Sequence, residues 1–362
     1  MKDWMEYGHF EEMMAPFWSS QVMTEESVLL VSEGGEAASA PLLFRPVRIL
    51  RVRHAGLGTE YKEGQDWVYE EGRVRRPEGS QAPFMTLEEL YPPMPPEEAG
   101  QTVPKVGGGY ILTHKALLHN RQLAVTYLHT GEEWNGPVPA FAGHKLERTV
   151  GKLKRGASAA ITLYGDSIAA GYDSSSRQGI PPYQPAWGNL LAESLRRAYP
   201  AAPITFRNPS VGGKSADWGL EQVEELVSID RPDLVILAFG MNDGTGHVPP
   251  ALFGERISGI MDHIRVRQPE VEFILVAPIV PNRLAALPNE PERSFLGEQL
   301  NYLPVLERLS AQAGCALLDM TSVHSELLRH KRYWDMTGNH INHPNDYLSR
   351  WYAQMAAAML TE

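Results

Sequence analysis

Hydrophobic and polar positions follow two different patterns along the chain. From about residue 157 onward, short apolar runs predict five strands: AITLY, ITFRN, DLVILAF, EFILVAP and CALLD. Apolar residues recur at helical spacing between them and after them, around residues 187–199, 219–228, 253–267, 298–313 and 346–360. Strands that alternate with helices predict a parallel sheet covered by helices on both faces, which is an α/β domain.

Residues from about 20 to 135 have a different pattern. Five strand-like pieces are broken by Pro and Gly, and long helical periodicity is absent from their sequences: SVLLV, PLLFRPVRILRVRH, DWVYEEGRVRR, GGGYILTH and QLAVTYLH. This pattern predicts an all-β sandwich or jelly roll. We therefore predict a β-rich accessory domain over residues 1–150 and an α/β domain over residues 151–362, connected by the stretch 136–156.

Composition narrows the classes of partner. The net charge of -11 argues against nucleic acid and anionic membranes, because both favour Lys- and Arg-rich surfaces. Cys315 is the single cysteine, so neither an internal disulfide nor a cysteine-based metal cluster is expected. The acidic start MKDWMEYGHFEEMM does not resemble a signal peptide, and no apolar run reaches the roughly 20 residues that cross a bilayer. We expect a cytoplasmic protein that acts on a small molecule or oligosaccharide; assembly into a homo-oligomer stays open.

The run ITLYGDSIAAG contains the first candidate for chemistry. Ser167 follows the first strand of the α/β half, and the small residues from Ile168 to Gly171 are expected to open a helix. Ligands bind at the carboxyl ends of parallel strands, so this serine is well placed to be a nucleophile. Asp166, beside it, is expected to bond the loop backbone or cap the helix rather than act as an acid.

Three further motifs follow later strands or lie near the carboxyl terminus. They are PSVGGKSADWG with Gly213, GMNDGTG with Asn242, and GNHINHPND with His343. In this order and spacing the chain resembles the SGNH (GDSL-type) hydrolases over roughly residues 158–362. These three residues and Ser167 fall on the four signature positions of that family. The resemblance implies a flavodoxin-like, three-layer α/β/α domain with a parallel sheet.

The resemblance also implies a function. Ser167 would be the nucleophile of an esterase and His343 its base, because neutral imidazole accepts protons near pH 7. The N–H groups of Ser167 and Gly213 and the Asn242 side-chain amide would form the oxyanion hole. No metal and no organic cofactor is implied. A β-rich domain ahead of such a domain resembles two-domain carbohydrate acetylesterases, so we expect short acyl esters of sugars as substrates.

Other functions are kept as alternatives. A lipid-type esterase, a thioesterase or an O-acetyltransferase would use the same nucleophile. An inactive carbohydrate-binding protein is the non-enzyme alternative. Trp218, Trp334 and Met241 are candidates for the substrate pocket, whereas Trp187 has the helical spacing of a core residue.

One position departs from the family pattern. The family places Asp three residues before the histidine, and here that position holds His340. Some other group must then accept the His343 Nδ1 proton, because an imidazole in the wrong tautomer loses about 10⁴ in kcat in the Ser-His-Asp template. The candidates are a backbone carbonyl near His340 and the carboxylates of Asp335 and Asp346. The pair His340 and His343 lacks the spacing of a metal site.

Overall fold

The computed structural model describes Trp4 and residues 9–95, 101–131, 134–312 and 314–362. Half of the acidic start MKDWMEYGHFEEMM, residues 1–3 and 5–8, lies outside these ranges. The same holds for position 313, at the end of the predicted helix 298–313.

Short strands form the amino-terminal half, where Pro and Gly interrupt the apolar runs. The strands are β1 (Val22–Leu29), β2 (Val31–Ser32), β3 (Ser39–Pro41), β4 (Arg48–His54), β5 (Glu60–Tyr61), β6 (Val68–Glu70), β7 (Arg73–Arg75), β8 (Met85–Thr86), β9 (Thr102–Pro104), β10 (Tyr110–Leu112) and β11 (Gln122–Leu128). Three helices accompany them: α1 (Phe10–Met13), α2 (Leu87–Leu90) and α3 (Lys115–Arg121).

Two sheets account for most of these strands. An antiparallel sheet has the order β1-β11-β4-β5, and a second sheet has the order β6-β7-β3-β2-β8, in which only the β2–β8 pair is parallel. Val28, Val52 and Val74, from both sheets, are fully buried in one apolar cluster. The predicted β-sandwich is confirmed. The helix α3 was not predicted, and it becomes important at the site.

The second half is an α/β domain, as the alternation of runs predicted. Its strands are β12 (Ala159–Gly165), β13 (Ile204–Arg207), β14 (Leu234–Ala238), β15 (Glu272–Val276), β16 (Ala286–Leu287), β17 (Glu290–Ser294) and β18 (Cys315–Leu318). Its helices are α4 (Glu147–Lys154), α5 (Ser175–Gln178), α6 (Trp187–Ala198), α7 (Ala216–Leu226), α8 (Met241–Thr245), α9 (Pro250–Arg267), α10 (Leu303–Ser310), α11 (Met320–His330), α12 (Tyr333–Met336) and α13 (Asp346–Leu360). Within the described ranges, none of the helices combines the length and apolarity needed to cross a membrane.

The parallel sheet has the strand order β13-β12-β14-β15-β18. Numbered within this sheet the order is 2-1-3-4-5, which is the flavodoxin-like order. The predicted flavodoxin-like domain is therefore confirmed. In this topology ligands bind where the first and third strands meet, here at the carboxyl ends of β12 and β14. Ser167 follows β12 and Asn242 follows β14, so the sheet brings both motifs to that point.

The stretch 136–156, predicted as a connection, is in part a packed helix. Leu146, Val150 and Leu153 recur at helical spacing and are buried, so α4 adds to the core rather than forming an open linker. The Glu272 carboxylate at the start of β15 accepts the N–H groups of Arg148 and Thr149 at 2.9 and 2.8 Å. It thereby holds the first turn of this helix against the parallel sheet.

Candidate functional site

Ser167 and His343 are in direct contact. The Ser167 Oγ lies 2.9 Å from the His343 Nε2, a hydrogen-bond distance. Ser167 is 5% exposed, whereas the His343 side chain is 17% exposed. The geometry is that of a nucleophile and its base.

The segment after Ser167 differs from the expectation. Residues from Ile168 to Asp173 form consecutive turns, and the short helix α5 begins only at Ser175. The expected helix directly after the serine is therefore wrong. Gly165, by contrast, has a steric requirement: a Cβ there would collide with the Ala238 carbonyl of β14.

Asp166 bonds the loop backbone, as predicted. Its Oδ1 accepts the Ile168 N–H at 2.9 Å, and its carboxyl group is also hydrogen-bonded by the Met241 backbone. Burial raises the pKa of Asp166 to about 7, and the nearby Asp243 adds to the rise. The residue therefore fastens the Ser167 loop to the start of α8, which carries Asn242.

A second buried carboxylate joins the remaining loops. Both oxygens of Asp243 accept the Ala216 N–H, at 3.0 and 3.1 Å, which caps the first turn of α7. Burial raises the pKa of Asp243 to about 6, although Arg256 opposes the rise. The helix α8, which carries Asn242, and the start of α7, which follows the Gly213 turn, are thus held side by side.

Gly213 lies in the turn before α7, and Asn242 lies in the first turn of α8. Gly213 has φ +75°, a left-handed conformation that favours glycine, and an added Cβ would meet no neighbour within 4 Å. The Asn242 Nδ2 donates to the Lys214 carbonyl at 2.9 Å, one residue beyond Gly213. A side-chain amide carries two N–H groups, so one donor stays available for a substrate oxygen.

The loop that carries His343 has its own scaffold. The Asn339 Oδ1 accepts three backbone N–H groups, from Ile341, Asn342 and His343, at 3.0 to 3.1 Å. The Gly338 N–H donates to the His343 carbonyl at 3.0 Å. These bonds fix the backbone from which the imidazole projects.

The amino-terminal half braces this same loop. The Gln122 Nε2 of β11 donates to the carbonyls of Trp334 and Thr337 at 2.6 and 3.3 Å. The Asn345 Nδ2 donates to the Ser27 Oγ of β1 at 3.1 Å. The β-sandwich therefore contributes to the position of His343.

The three predicted partners of the His343 Nδ1 make hydrogen bonds to other groups. Asp335 accepts the Leu29 N–H at one oxygen and the Arg332 N–H at the other, at 2.8 and 2.9 Å. The Asp346 Oδ1 accepts the Ser175 N–H at 2.9 Å, and the His340 carbonyl accepts the Asn282 Nδ2 at 3.0 Å. Within the described residues the His343 Nδ1 has no hydrogen-bond partner. None of these three groups is hydrogen-bonded to it among the described residues, so their roles as orienters stay predictions.

A different carboxylate faces the ring. The Asp173 Oδ2 lies 3.4 Å from the His343 Nδ1, and the Asp173 side chain is 1% exposed. Asp173 was not predicted from the sequence, because it lies far from the histidine along the chain. An available signal was the Gly-Tyr-Asp turn that follows Ser167, since turns after a nucleophile lie at the same sheet edge.

His340 packs between the two halves of the chain and is not in contact with the His343 Nδ1. Its ring packs against Tyr91 and Trp334, at centroid distances of 5.2 and 5.3 Å, and its Nε2 lies 3.3 Å from the Tyr91 hydroxyl. The residue is fully buried, and burial lowers its pKa to about 3. Its backbone has φ +57°, which asparagine tolerates better than most residues.

A stability prediction follows from the buried imidazole of His340. The unfolded chain binds a proton below its ordinary pKa of about 6.5, whereas the folded chain does not bind it until about pH 3. The contribution of the neutral His340 imidazole to the free energy of unfolding is therefore complete above pH 6.5, and it is lost as the pH falls below that value. Between pH 6.5 and 5.0 the wild type should lose about 2 kcal/mol more unfolding free energy than His340→Asn. Denaturant titrations at both pH values measure this; equal losses would contradict it.

The predicted pocket residues pack against other side chains of the structure. Trp218 packs near Tyr164, with the Lys214 Nζ 5.5 Å from its ring centre. Met241 is 1% exposed and lies in the core. Trp334 packs against Tyr91 and His340. Trp187 is fully buried, as its helical spacing predicted.

The described residues contain no group of three or more His, Cys, Asp or Glu side chains arranged to hold a metal ion. Cys315 is buried in β18 as a free thiol.

Comparisons with known proteins extend the picture. The model of the family described as "GDSL-like Lipase/Acylhydrolase family" matches residues 163–350, more than half of the chain. An arylesterase of Vibrio mimicus is 29% identical over 109 residues, which are 30% of this chain and 50% of the relative. A GDSL esterase/lipase of Arabidopsis thaliana is 31% identical over 132 residues, 33% of this chain and 49% of the relative. The chain thus spans about half the length of the curated relatives it matches.

Solved structures resemble the fold more distantly. A two-domain esterase active on acetylated mannans, co-crystallised with mannopentaose, has a TM-score of 0.48 and 20% identity, covering 61% of this chain and 54% of that chain. A catalytic mutant of an acetylxylan esterase from Geobacillus stearothermophilus has a TM-score of 0.43 and 16% identity, covering 55% and 91%.

Proposed function

Because this chain belongs to the GDSL-like lipase/acylhydrolase family, we propose that it is a serine-dependent carboxylic ester hydrolase with Ser167 as its nucleophile. The observation that carries the proposal is the 2.9 Å contact between the Ser167 Oγ and the His343 Nε2. The contact lies at the topological switch point of the parallel sheet, where Asn242 also lies.

The proposed reaction proceeds through an acyl-enzyme. The His343 Nε2 takes the proton of the Ser167 hydroxyl while the Oγ attacks the ester carbonyl carbon. The carbonyl oxygen gains the negative charge, which the N–H groups of Ser167 and Gly213 and the Asn242 amide stabilise. His343 then gives its proton to the leaving alkoxide, so the alcohol departs. A water molecule, deprotonated by the same imidazole, releases the acid and restores Ser167.

The proposed substrates are acetyl or similarly short acyl esters of carbohydrates. Two side chains support this: the Tyr172 ring, which meets the His343 ring edge-on, is aromatic, and the Asn242 amide at the end of β14 is polar. Polar and aromatic walls suit a hydroxyl-rich alcohol better than a long acyl chain, which needs an apolar surface.

The acyl preference is tested with p-nitrophenyl esters of increasing chain length, and with an acetylated oligosaccharide from which released acetate is measured. We expect kcat/KM for the acetate to exceed that for the octanoate by about tenfold or more, because aromatic and polar walls favour a short acyl group over a long apolar one. Acetate release from the oligosaccharide is expected as well. A maximum at long chains would favour the lipid-type esterase instead, and Ser167→Ala supplies the background rate.

A further inference from the structure

Two buried polar groups face each other without a well-formed hydrogen bond. The His343 Nδ1 and both oxygens of Asp173 lack hydrogen-bond partners among the described residues, although Nδ1 and Oδ2 are only 3.4 Å apart. Leaving such groups unpaired costs free energy that a shift of a few tenths of an ångström would recover. Catalytic hydrogen bonds are often long before substrate binds and shorten in the complex.

A cation from the other half of the chain contacts the same carboxylate. The Lys115 Nζ lies 2.5 Å from the Asp173 Oδ1, although without hydrogen-bond geometry. Lys115 opens α3 of the amino-terminal half, and its side chain is 43% exposed. Asp173 therefore lies between an ammonium group on one side and the imidazole on the other.

We propose that Asp173 orients His343 through Nδ1, and that Lys115 is a positioning residue by which the amino-terminal half holds this carboxylate in place. The proposal rests on the proposed function, in which His343 is the base. Asp173 would take the part of the acid that the family places three residues before the histidine, a position that His340 occupies in this chain.

The backbone around Asp173 is built for this placement. Asp173 has φ +70°, a conformation that costs free energy for a residue with a Cβ and is retained only where the surroundings impose it. The Gln178 Nε2 donates to the Asp173 carbonyl at 3.0 Å. Gly338 leaves the room that the carboxylate needs, since a Cβ there would lie 2.6 Å from the Asp173 Cβ.

Other groups complete the surroundings of the pair. The Tyr172 ring meets the His343 ring edge-on at a centroid distance of 5.7 Å. The Lys115 Nζ and the Arg177 guanidinium lie 5.9 and 5.2 Å from the Tyr172 ring centre. Asp173 is the anion that the described residues place against His343, and Lys115 is the cation in contact with it.

The two residues should therefore shift protonation of the base in opposite directions. Asp173 stabilises the imidazolium, so its removal lets His343 stay neutral at lower pH. Lys115 offsets part of the Asp173 charge, so its removal strengthens the stabilisation of the imidazolium. A merely structural role for either residue would not produce this opposition.

The experiment records pH profiles of kcat/KM for p-nitrophenyl acetate in the full chain. For Asp173→Asn we expect a fall in kcat/KM of about 10² to 10⁴-fold, with the acid limb moved to lower pH. For Lys115→Met we expect a fall of about three- to thirtyfold, with the acid limb moved to higher pH and with Lys115→Arg restoring most of both. Lys62→Met, at an exposed lysine of the same half, is the matched control.

Some outcomes would overturn the inference. They are a kcat/KM of Asp173→Asn within about threefold of wild type, or acid limbs that move in the same direction or do not move in the two variants. If Asp173→Asn does not fold, Lys115→Met and its arginine rescue decide the question. A downfield imidazole Nδ1–H proton resonance in wild type, absent from Asp173→Asn, reports the contact without turnover. An inactive wild type that has this resonance would refute the proposed function but not the contact.

Discussion

Ser167→Ala is expected to lower kcat/KM for an acetate ester by about 10⁴ to 10⁶-fold, because the acyl-enzyme cannot form without the hydroxyl. The residual rate would come from the oxyanion donors and from binding alone. Removing one oxygen from a side chain that is 5% exposed leaves the fold in place. Steady-state kinetics together with a thermal unfolding curve separate loss of chemistry from loss of structure.

The matched control for this variant is Ser194→Ala. The Ser194 hydroxyl donates to the Leu190 carbonyl within α6, away from the site, and alanine favours helices. Its activity should equal that of wild type. Turnover by Ser167→Ala within tenfold of wild type would assign the nucleophile to another group.

His343→Ala is expected to reduce kcat/KM by a similar factor, because no other described side chain is in hydrogen-bond contact with the Ser167 Oγ to take its proton. The two residues act as one unit. The double variant Ser167→Ala/His343→Ala should therefore be no slower than either single variant within about threefold. Initial rates at pH 8 for wild type, the two single variants and the double variant form a double-mutant cycle. The cycle gives the coupling free energy between Ser167 and His343.

An exposed histidine controls for loss of an imidazole as such. His263 on α9 pairs with Glu224 at the surface, and His263→Ala should retain full activity. Additive losses in the double variant would contradict a shared role of Ser167 and His343.

The sequence alone predicted much of the fold and the contact at the site. The five apolar runs became β12, β13, β14, β15 and β18, since strand periodicity and length are local properties of the chain. The carboxyl-edge rule then brought Ser167 and Asn242 to one end of the sheet without any knowledge of side-chain contacts. His343 could be added only through the resemblance to a family.

The orienting acid could not be predicted, because its position depends on tertiary structure. Asp173 lies in an irregular turn, and Lys115 reaches it from a helix of the other half. No periodicity relates two such residues. The family's acid is missing because its position holds His340. The proposed replacement, Asp173, comes from a turn far earlier in the chain and not from the His343 loop.

The contacts between the two halves of the chain could not be predicted from the sequence either. The Lys331 Nζ contacts the Glu26 Oε1 at 2.5 Å with both side chains fully buried, and the Tyr127 hydroxyl donates to the other oxygen of Glu26. Buried charges of this kind persist only when they are paired. The pairing joins the sandwich to the segment that leads into the His343 loop, which explains why the predicted linker does not separate the halves.

Covalent labelling provides the sharpest check on Ser167 as the activated nucleophile. The protein is treated with a fluorophosphonate, digested, and analysed by mass spectrometry of its peptides. We expect one phosphonate per chain, on the peptide that contains Ser167. Ester turnover should be lost at the same rate as the phosphonate is incorporated. Incorporation should be strongly slowed in His343→Ala. Two results after treatment would contradict the assignment: full ester turnover with no phosphonate on the protein, or a phosphonate on another serine.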